Sequence, residues 1–427
     1  MAFAILGLML LLLFLGYPMK VPLTVAALFV VTVWFPGAAP ETLVQQMIGG
    51  VQPAALIAVP MFIFAAEIMT RGQAADRLLD LVMRFVGHIR GGLPITSAIS
   101  CTLFGALSGS TQATVVAIGG PLRPKMLKAG YPDSFTTALI INASDIALLI
   151  PPSIGMIVYG VVSGTSIGEL FIAGIGPGLL ILVLFCFYCW VATVRMEIEP
   201  EPKAGWPARW LALRKAALPM GFPLIIIGGI YAGIFSPTEA AAVSVLYAAV
   251  LEIGVYRELK PRDLPTLALN TGLVTSVVFV LVAAGAAFSW VISYAQLPSQ
   301  IVGDLLGPDA GYTQIMATIA IAFFVGCMFV DPIVVILILT PIFHPVAVNA
   351  GIDPVLVGTV VTLQVAIGSA TPPFGCDIFT AIAIFKRPYL EVVKGTPPFI
   401  LILILSSVLL ITFPEIALVL RDLAFAE

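Results

Sequence analysis

Two proline pairs, Pro151-Pro152 and Pro372-Pro373, each interrupt an apolar run of the chain. A helix loses a donor at every proline, so carbonyls about one turn back are left without a partner. These are the carbonyls of Ala147 and Leu148 before the first pair, and of Gly368 and Ser369 before the second. In hydrocarbon such groups are costly unless something meets them. A dehydrated monovalent cation is a fitting partner; water or neighbouring hydroxyls are the alternative. More oxygen is available from Ser108, Ser110 and Thr111, where the apolar run 91–128 is interrupted, and from Asp331, which with Pro332 interrupts 312–349. The same breaks start new helices near Ser153 and Phe374 and after each interruption, and free N–H groups at helix starts attract anions. The predicted chemistry is therefore non-covalent: cation first, carboxylate second.

Acids at membrane depth are functional candidates by default. Asp145 lies six residues before Pro151, Asp331 lies at an interruption, and Asp377 follows the second proline pair. For Asp145 the structural alternative is a hydrogen bond to Asn142 or Ser144. The candidates for solute contact are Ser110, Asn142, Asp145, Ser153, Asp331 and Asp377. Glu67, Glu239 and Glu252 fall towards helix ends, where capping or solvation is expected, and His344 is read as a packing or hydrogen-bonding residue.

The elements that position these residues follow from composition. Over 427 residues, 60% are hydrophobic and 10% charged, with mean hydropathy +1.10, which no soluble core requires. The chain is predicted to be an all-α, polytopic membrane protein. Spans are expected near 2–17, 21–36, 52–70, 133–162, 170–194, 217–235, 238–256, 268–290, 355–385 and 389–414, those at 133–162 and 355–385 being broken at the proline pairs. The runs 91–128 and 312–349 are read as hairpins that enter the membrane and leave by the same face. The basic residues lie in short loops, so nothing points to nucleic acid. The five cysteines lie in apolar runs and imply no disulfide framework.

Adding 221 to a residue number reveals a repeat. Gly105 falls on Gly326, Pro124 on Pro345, Ala129-Gly130 on Ala350-Gly351, Pro151-Pro152 on Pro372-Pro373, Gly174 on Gly395 and Pro177 on Pro398. Matching Pro and Gly in one register marks two copies of one unit. If Met1 starts outside, 19 of the 20 Lys and Arg residues fall on the inside, with Arg421 as the exception. Each unit then holds five crossings and one hairpin, so the second is inverted relative to the first, as in secondary transporters. The expected division is a scaffold part at 1–90 with an interfacial arm helix, a transport part at 91–194, a cytoplasmic linker at 195–216, a second scaffold part at 217–311 and a second transport part at 312–427. The arm helix should lie in the interface plane with Leu78, Leu81, Val82 and Phe85 on one face, and has a counterpart at 295–308.

Several stretches, GALSGST, LIPPS, GTSIGELFIAGIGPGLL, GIFSPTEAAAVSVLYA, ILILTPIFHPVAVNAGIDP, AIGSATPPFG and PYLEVVKGTPPF, give the chain from about Leu43 to Pro414 a specific likeness. It closely resembles the large membrane subunit (DctM-like) of tripartite ATP-independent periplasmic (TRAP) transporters. The resemblance implies a multi-pass protein of the bacterial inner membrane that takes up a small organic acid, driven by sodium. It implies a periplasmic binding protein that delivers the solute, a separate small four-helix membrane subunit, and an elevator-like carriage. Carried onto matching positions, its sodium sites involve Ser108, Thr111, Ala147, Ile150 and Pro151 in the first unit, and Gly326, Gly368, Thr371 and Phe374 in the second. Asp145, Gln364 and Asp377 depart from the family's pattern. A self-sufficient sodium/carboxylate symporter is the alternative reading. An intramembrane serine enzyme is disfavoured because Ser108 and Ser110 have no base nearby, and no phosphate-binding loop is present for ATP.

Overall fold

The computed structural model describes residues 1–196, 198–297 and 310–425, and among these the chain is helical with no strand. A first group of helices comprises α1 (Ala2–Phe14), α2 (Lys20–Trp34), α3 (Glu41–Val51), α4 (Ala58–Arg71) and the arm helix α5 (Ala74–Val86). Next come α6 (Gly92–Ser108), α7 (Thr111–Lys128), α8 (Asp133–Ser144), α9 (Ile154–Ser163) and α10 (Ile167–Val194). The second half holds α11 (Trp206–Tyr231), α12 (Pro237–Ala249) and α13 (Leu264–Tyr294), then α14 (Tyr312–Cys327), α15 (Pro332–Asn349), α16 (Pro354–Ser369), α17 (Cys376–Phe385), α18 (Tyr389–Val393), α19 (Pro397–Thr412) and α20 (Glu415–Ala424). Among the described residues six helices are long and apolar enough to cross a membrane, or seven if the bent pair α19 and α20 forms one span. Of the ten spans expected, α1 and α2 are each under 18 residues and the proline pairs split α8 from α9 and α16 from α17, while one of the six long helices, α15, belongs to the run read as a hairpin.

The order α6-α7-α8-break-α9 recurs as α14-α15-α16-break-α17, and the repeated Ala-Gly pairs show why sequence fixes the ends of these pieces. After α7, Gly130 adopts φ +95° and the Tyr131 amide reaches back to the Met126 carbonyl at 3.0 Å. After α15, Gly351 adopts φ +78° and the Ile352 amide reaches the Ala347 carbonyl at the same distance. Both are glycine-terminated helix ends, in which a left-handed residue lets the chain turn back on its last carbonyls. Prolines stand inside both helices, at 121 and 124 and at 341 and 345.

Two sets of helices can be distinguished, joined by the packing of α13 on α15 and of α5 on α6. In one, α4 lies against α12, α3 and α2 against α13, and α5 against α11. In the other, α6 packs on α7 and α8, and α14 packs on α15 and α16. The second arm of each hairpin also meets the opposite half: α7 packs on α17, and α15 on α9.

The described residues add detail to the expected segments. Helix α11 begins at Trp206, so the second half of the proposed linker is helical. Phe85 is exposed beneath the Arg209 guanidinium, 5.6 Å from its ring centre, while Leu79 joins Leu78, Leu81 and Val82 in burial. Helices α3 and α20 fall outside the predicted spans, and α20 is held by Arg421, which bonds Asp353 at 2.8 Å and Glu169 at 3.4 Å. Most of the expected second arm segment, 295–308, lies outside the described residues.

Glu252 is fully buried and serves as a cap, one of the two roles expected of it. It sits in the π-helical turn Val250–Val255 and accepts the Gln73 amide at 3.1 Å, capping the start of α5 from a distant element. Gly72 lies so close that any side chain would strike this carboxylate. Glu252→Ala is expected to lower stability by about 1–2 kcal/mol, the cost of a lost cap, whereas Glu252→Gln keeps an acceptor and most of the stability; thermal unfolding in detergent distinguishes the two.

Candidate functional site

The site forms where the two helix breaks and the two hairpin turns meet. The first hairpin turns at Gly109, with φ +59°, where a side chain would collide with the Pro152 carbonyl; Gly105 likewise lies against Ala147. The second hairpin is fixed to its own break by the Phe374 amide, which donates to the Met328 carbonyl at 3.1 Å, and by Gly368, which lies against Cys327. Each hairpin thus rests on the broken helix of its own half. Both proline pairs are joined by cis peptide bonds.

Side chains then tie the halves together. Ser369 Oγ lies 2.7 Å from Asp377 Oδ2 and 3.5 Å from Asp145 Oδ1, and Thr111 Oγ1 donates to Asp377 Oδ1 at 2.8 Å. All four residues are buried, Asp377 completely and Asp145 to within 1%, and no hydroxyl or amide donor among the described residues reaches Asp145 Oδ2, which leaves the Asp377 carboxyl as its neighbour. Asn142 and Ser144 do not reach Asp145; they bond back along their own helix to the Ala138 and Ile140 carbonyls. The Asn142 Oδ1 atom is left buried and unpartnered. Ser369 as a bridge was missed, because only the packing of one half on the other brings its hydroxyl to both acids.

At the first break the Leu149 and Ile150 amides both return to the Ile146 carbonyl, and two prolines follow, so Ala147 and Leu148 gain no donor from the break. At the second break the expectation fails in part. The Gly368 carbonyl accepts the Thr371 amide at 3.1 Å, and the Gly326 carbonyl accepts the amides of Phe329 and Val330. Thr371 Oγ1 donates to the Ile367 carbonyl at 2.6 Å. Ser108 lies 3.1 Å from Thr114 Oγ1 and 3.3 Å from the Ser110 carbonyl. Ile150 and Pro151 are buried, Ile150 against Gly178.

The helix starts are also less open than the sequence suggests. Ser110, Ser153 and Asp331 cap α7, α9 and α15 with their own side chains, accepting the amides of Ala113, Met156 and Ile333. Helix α17 begins two residues after Phe374 and has no side-chain cap. The Phe374 ring is itself more than half exposed, between Phe329 and Phe379.

A cavity of about 870 Å³ opens beside this cluster. Its walls include Ser110, Thr111 and Gln112 of the first hairpin, Phe329, Val330 and Asp331 of the second, and α13 from Val274 to Leu281. It therefore joins both hairpin turns to the other helix group. The cavity also reaches Lys20, which the sequence assigns to an inside segment.

An apolar helical chain with paired broken helices around a solute-sized cavity is a multi-pass membrane permease, not an enzyme. Residues 6–416 match the family described as tripartite ATP-independent periplasmic transporter, DctM component, and the chain belongs to that family. Over 420 residues it is 66% identical to the ectoine/5-hydroxyectoine TRAP transporter large permease protein UehC of Ruegeria pomeroyi, covering 98% of each chain. It is 65% identical over 415 residues to the ectoine TRAP transporter large permease protein TeaC of Halomonas elongata, covering 97% of each. A more distant relative, the C4-dicarboxylate TRAP transporter large permease protein DctM of Pseudomonas aeruginosa, is 35% identical over 86% of each chain. Among solved structures, the YdaH transporter of Alcanivorax borkumensis shares the fold, with TM-score 0.64 at 17% identity and 87% of each chain covered.

Proposed function

We propose that this chain is the large permease of a three-part, sodium-driven importer in the bacterial inner membrane, and that its solute is a compact carboxylate of the ectoine kind. The observation that carries the reading is the cavity bounded by both hairpin turns, one hydroxyl away from the buried Asp377. The two relatives named for ectoine uptake supply the solute, and they match nearly the whole chain. A binding protein delivers the solute from the periplasm, and a separate small membrane subunit completes the assembly.

In this reading the chain has ten spans in two inverted units, and the group holding both hairpins and both broken helices travels as a carriage past the other group. Reciprocal packing of α7 on α17 and α15 on α9 supports a single carriage. One sodium ion meets Ser108, Thr111, Ala147, Ile150 and Pro151, where the Ala147 carbonyl has no donor from the break. A second meets Gly326, Gly368, Thr371 and Phe374, where amides already engage the Gly326 and Gly368 carbonyls, so these must exchange an N–H partner for the ion. The first site should therefore bind more tightly. Thr111→Ala is expected to raise the sodium half-saturation of uptake several-fold, and Thr371→Val to raise it less; equal half-saturation to wild type in both removes these residues from ion binding.

Reconstitution with candidate partners, with uptake of labelled ectoine measured with and without a sodium gradient, tests the function. Uptake by vesicles holding this chain alone would favour a self-sufficient symporter.

A further inference from the structure

Among the residues that line the 870 Å³ cavity, only Lys20 and Asp331 carry charge. The rest of the wall is largely apolar, with Ser110, Thr111, Gln112 and Ser276 as its polar side chains. Asp331 caps α15 with Oδ1, accepting the Ile333 amide at 2.9 Å, and no ion pair among the described residues reaches its carboxylate. None of those pairs involves Lys20 either. An ionised group in an apolar, water-poor recess is costly unless an opposite charge meets it. Asp331 is the one acidic side chain in this lining, so its end of the cavity disfavours an anion. A doubly negative dicarboxylate would place one carboxylate against Asp331.

We propose that Asp331 is the specificity-determining residue for a zwitterionic solute, pairing with the solute's delocalised cation, while Lys20 provides the cavity's positive charge for its carboxylate. The inference rests on the solute reading above and deepens it, because ectoine is a cyclic amidine bearing a carboxylate. An amidinium presents N–H donors in a plane, which suits a carboxylate acceptor held fixed by a helix cap. The repeat also singles out this position: the first hairpin has the uncharged Ser110 as its cap where the second has Asp331. Of the two hairpin turns, only the second therefore brings a charged side chain to the cavity.

Substitution can separate the two roles of Asp331. Asparagine caps a helix about as well as aspartate, so Asp331→Asn removes the charge and keeps the turn; Asp331→Glu keeps the charge. Binding of ectoine, acetamidinium and succinate to the full purified chain in nanodiscs would be measured by calorimetry, together with the sodium half-saturation of each variant. Wild type is expected to prefer ectoine over succinate. Asp331→Asn should weaken ectoine and acetamidinium by about tenfold or more, the worth of a charge-assisted hydrogen bond, and leave succinate unchanged or improved. Asp331→Glu should retain the preference. If ectoine fails to bind while acetamidinium binds in an Asp331-dependent way, the solute reading falls and Asp331 remains a cation reader. Preference of wild type for succinate, equal ectoine affinity in Asp331→Asn, an effect of that variant on sodium alone, or no binding of any of the three probes would each overturn the proposal.

Discussion

Asp377→Ala is expected to lower the stability of the permease by about 1–3 kcal/mol and to abolish uptake, whereas Asp377→Asn should retain most of both. The difference follows from what each change leaves behind. Asp377 accepts hydroxyls from Thr111 and Ser369, which belong to different halves, and is itself completely buried. Alanine leaves the Thr111 hydroxyl without its acceptor, at roughly 1–3 kcal/mol for an unsatisfied group, while Ser369 Oγ keeps the Ala366 carbonyl at 2.8 Å, and it removes the link between the first hairpin and the second broken helix. Asparagine keeps the shape and one acceptor oxygen, and the hydroxyl facing its NH₂ can rotate to accept. Thermal unfolding in detergent, with uptake from vesicles, checks the pair. Equal melting of the two variants would show that the Thr111 hydroxyl is satisfied in some other way.

Gly109→Val should be as damaging, for a geometric reason. The residue lies at φ +59°, a conformation that costs a residue with a side chain about 1–2 kcal/mol. Its side chain would also press on the Pro152 carbonyl, and crowding of this kind adds about 1–3 kcal/mol. The strain falls on the contact between the first hairpin and the first break, so uptake should be lost even in protein that remains folded. Gly120→Ala is the matched control: it faces open space within α7, and its transport should be unchanged. Normal uptake by Gly109→Val would mean that the hairpin turn can move away from the break without consequence.

Much of this arrangement was legible in the sequence because proline and glycine carry backbone instructions that do not depend on neighbours. The Ala-Gly repeats end α7 and α15, the proline pairs divide α8 from α9 and α16 from α17, and Ser110 and Asp331 start the second arms of the hairpins. Side-chain partners across the halves were not legible. Ser369 reads as one more small residue before a break, and its bridge to Asp145 and Asp377 depends on how the halves pack. A capping role for Glu252 was legible from its place near a helix end, but not its partner, since Gln73 lies 179 positions away. The carbonyls at the second break were misjudged because counting back from a proline ignores short-range turns such as Thr371 to Gly368. Helix α3 escaped notice because at 11 residues it is too short for a span, although it packs closely on α13.

The bond from the Phe374 amide to the Met328 carbonyl also bears on gating. A lid that swings open must first release its latch, and here release would leave a donor and an acceptor bare in a setting with little water, at roughly 1–3 kcal/mol apiece. Swinging of the second hairpin by itself is therefore opposed at the tip, where a gate would have to part. In the carriage reading proposed above, lid and floor shift as a unit and this bond stays closed throughout the cycle.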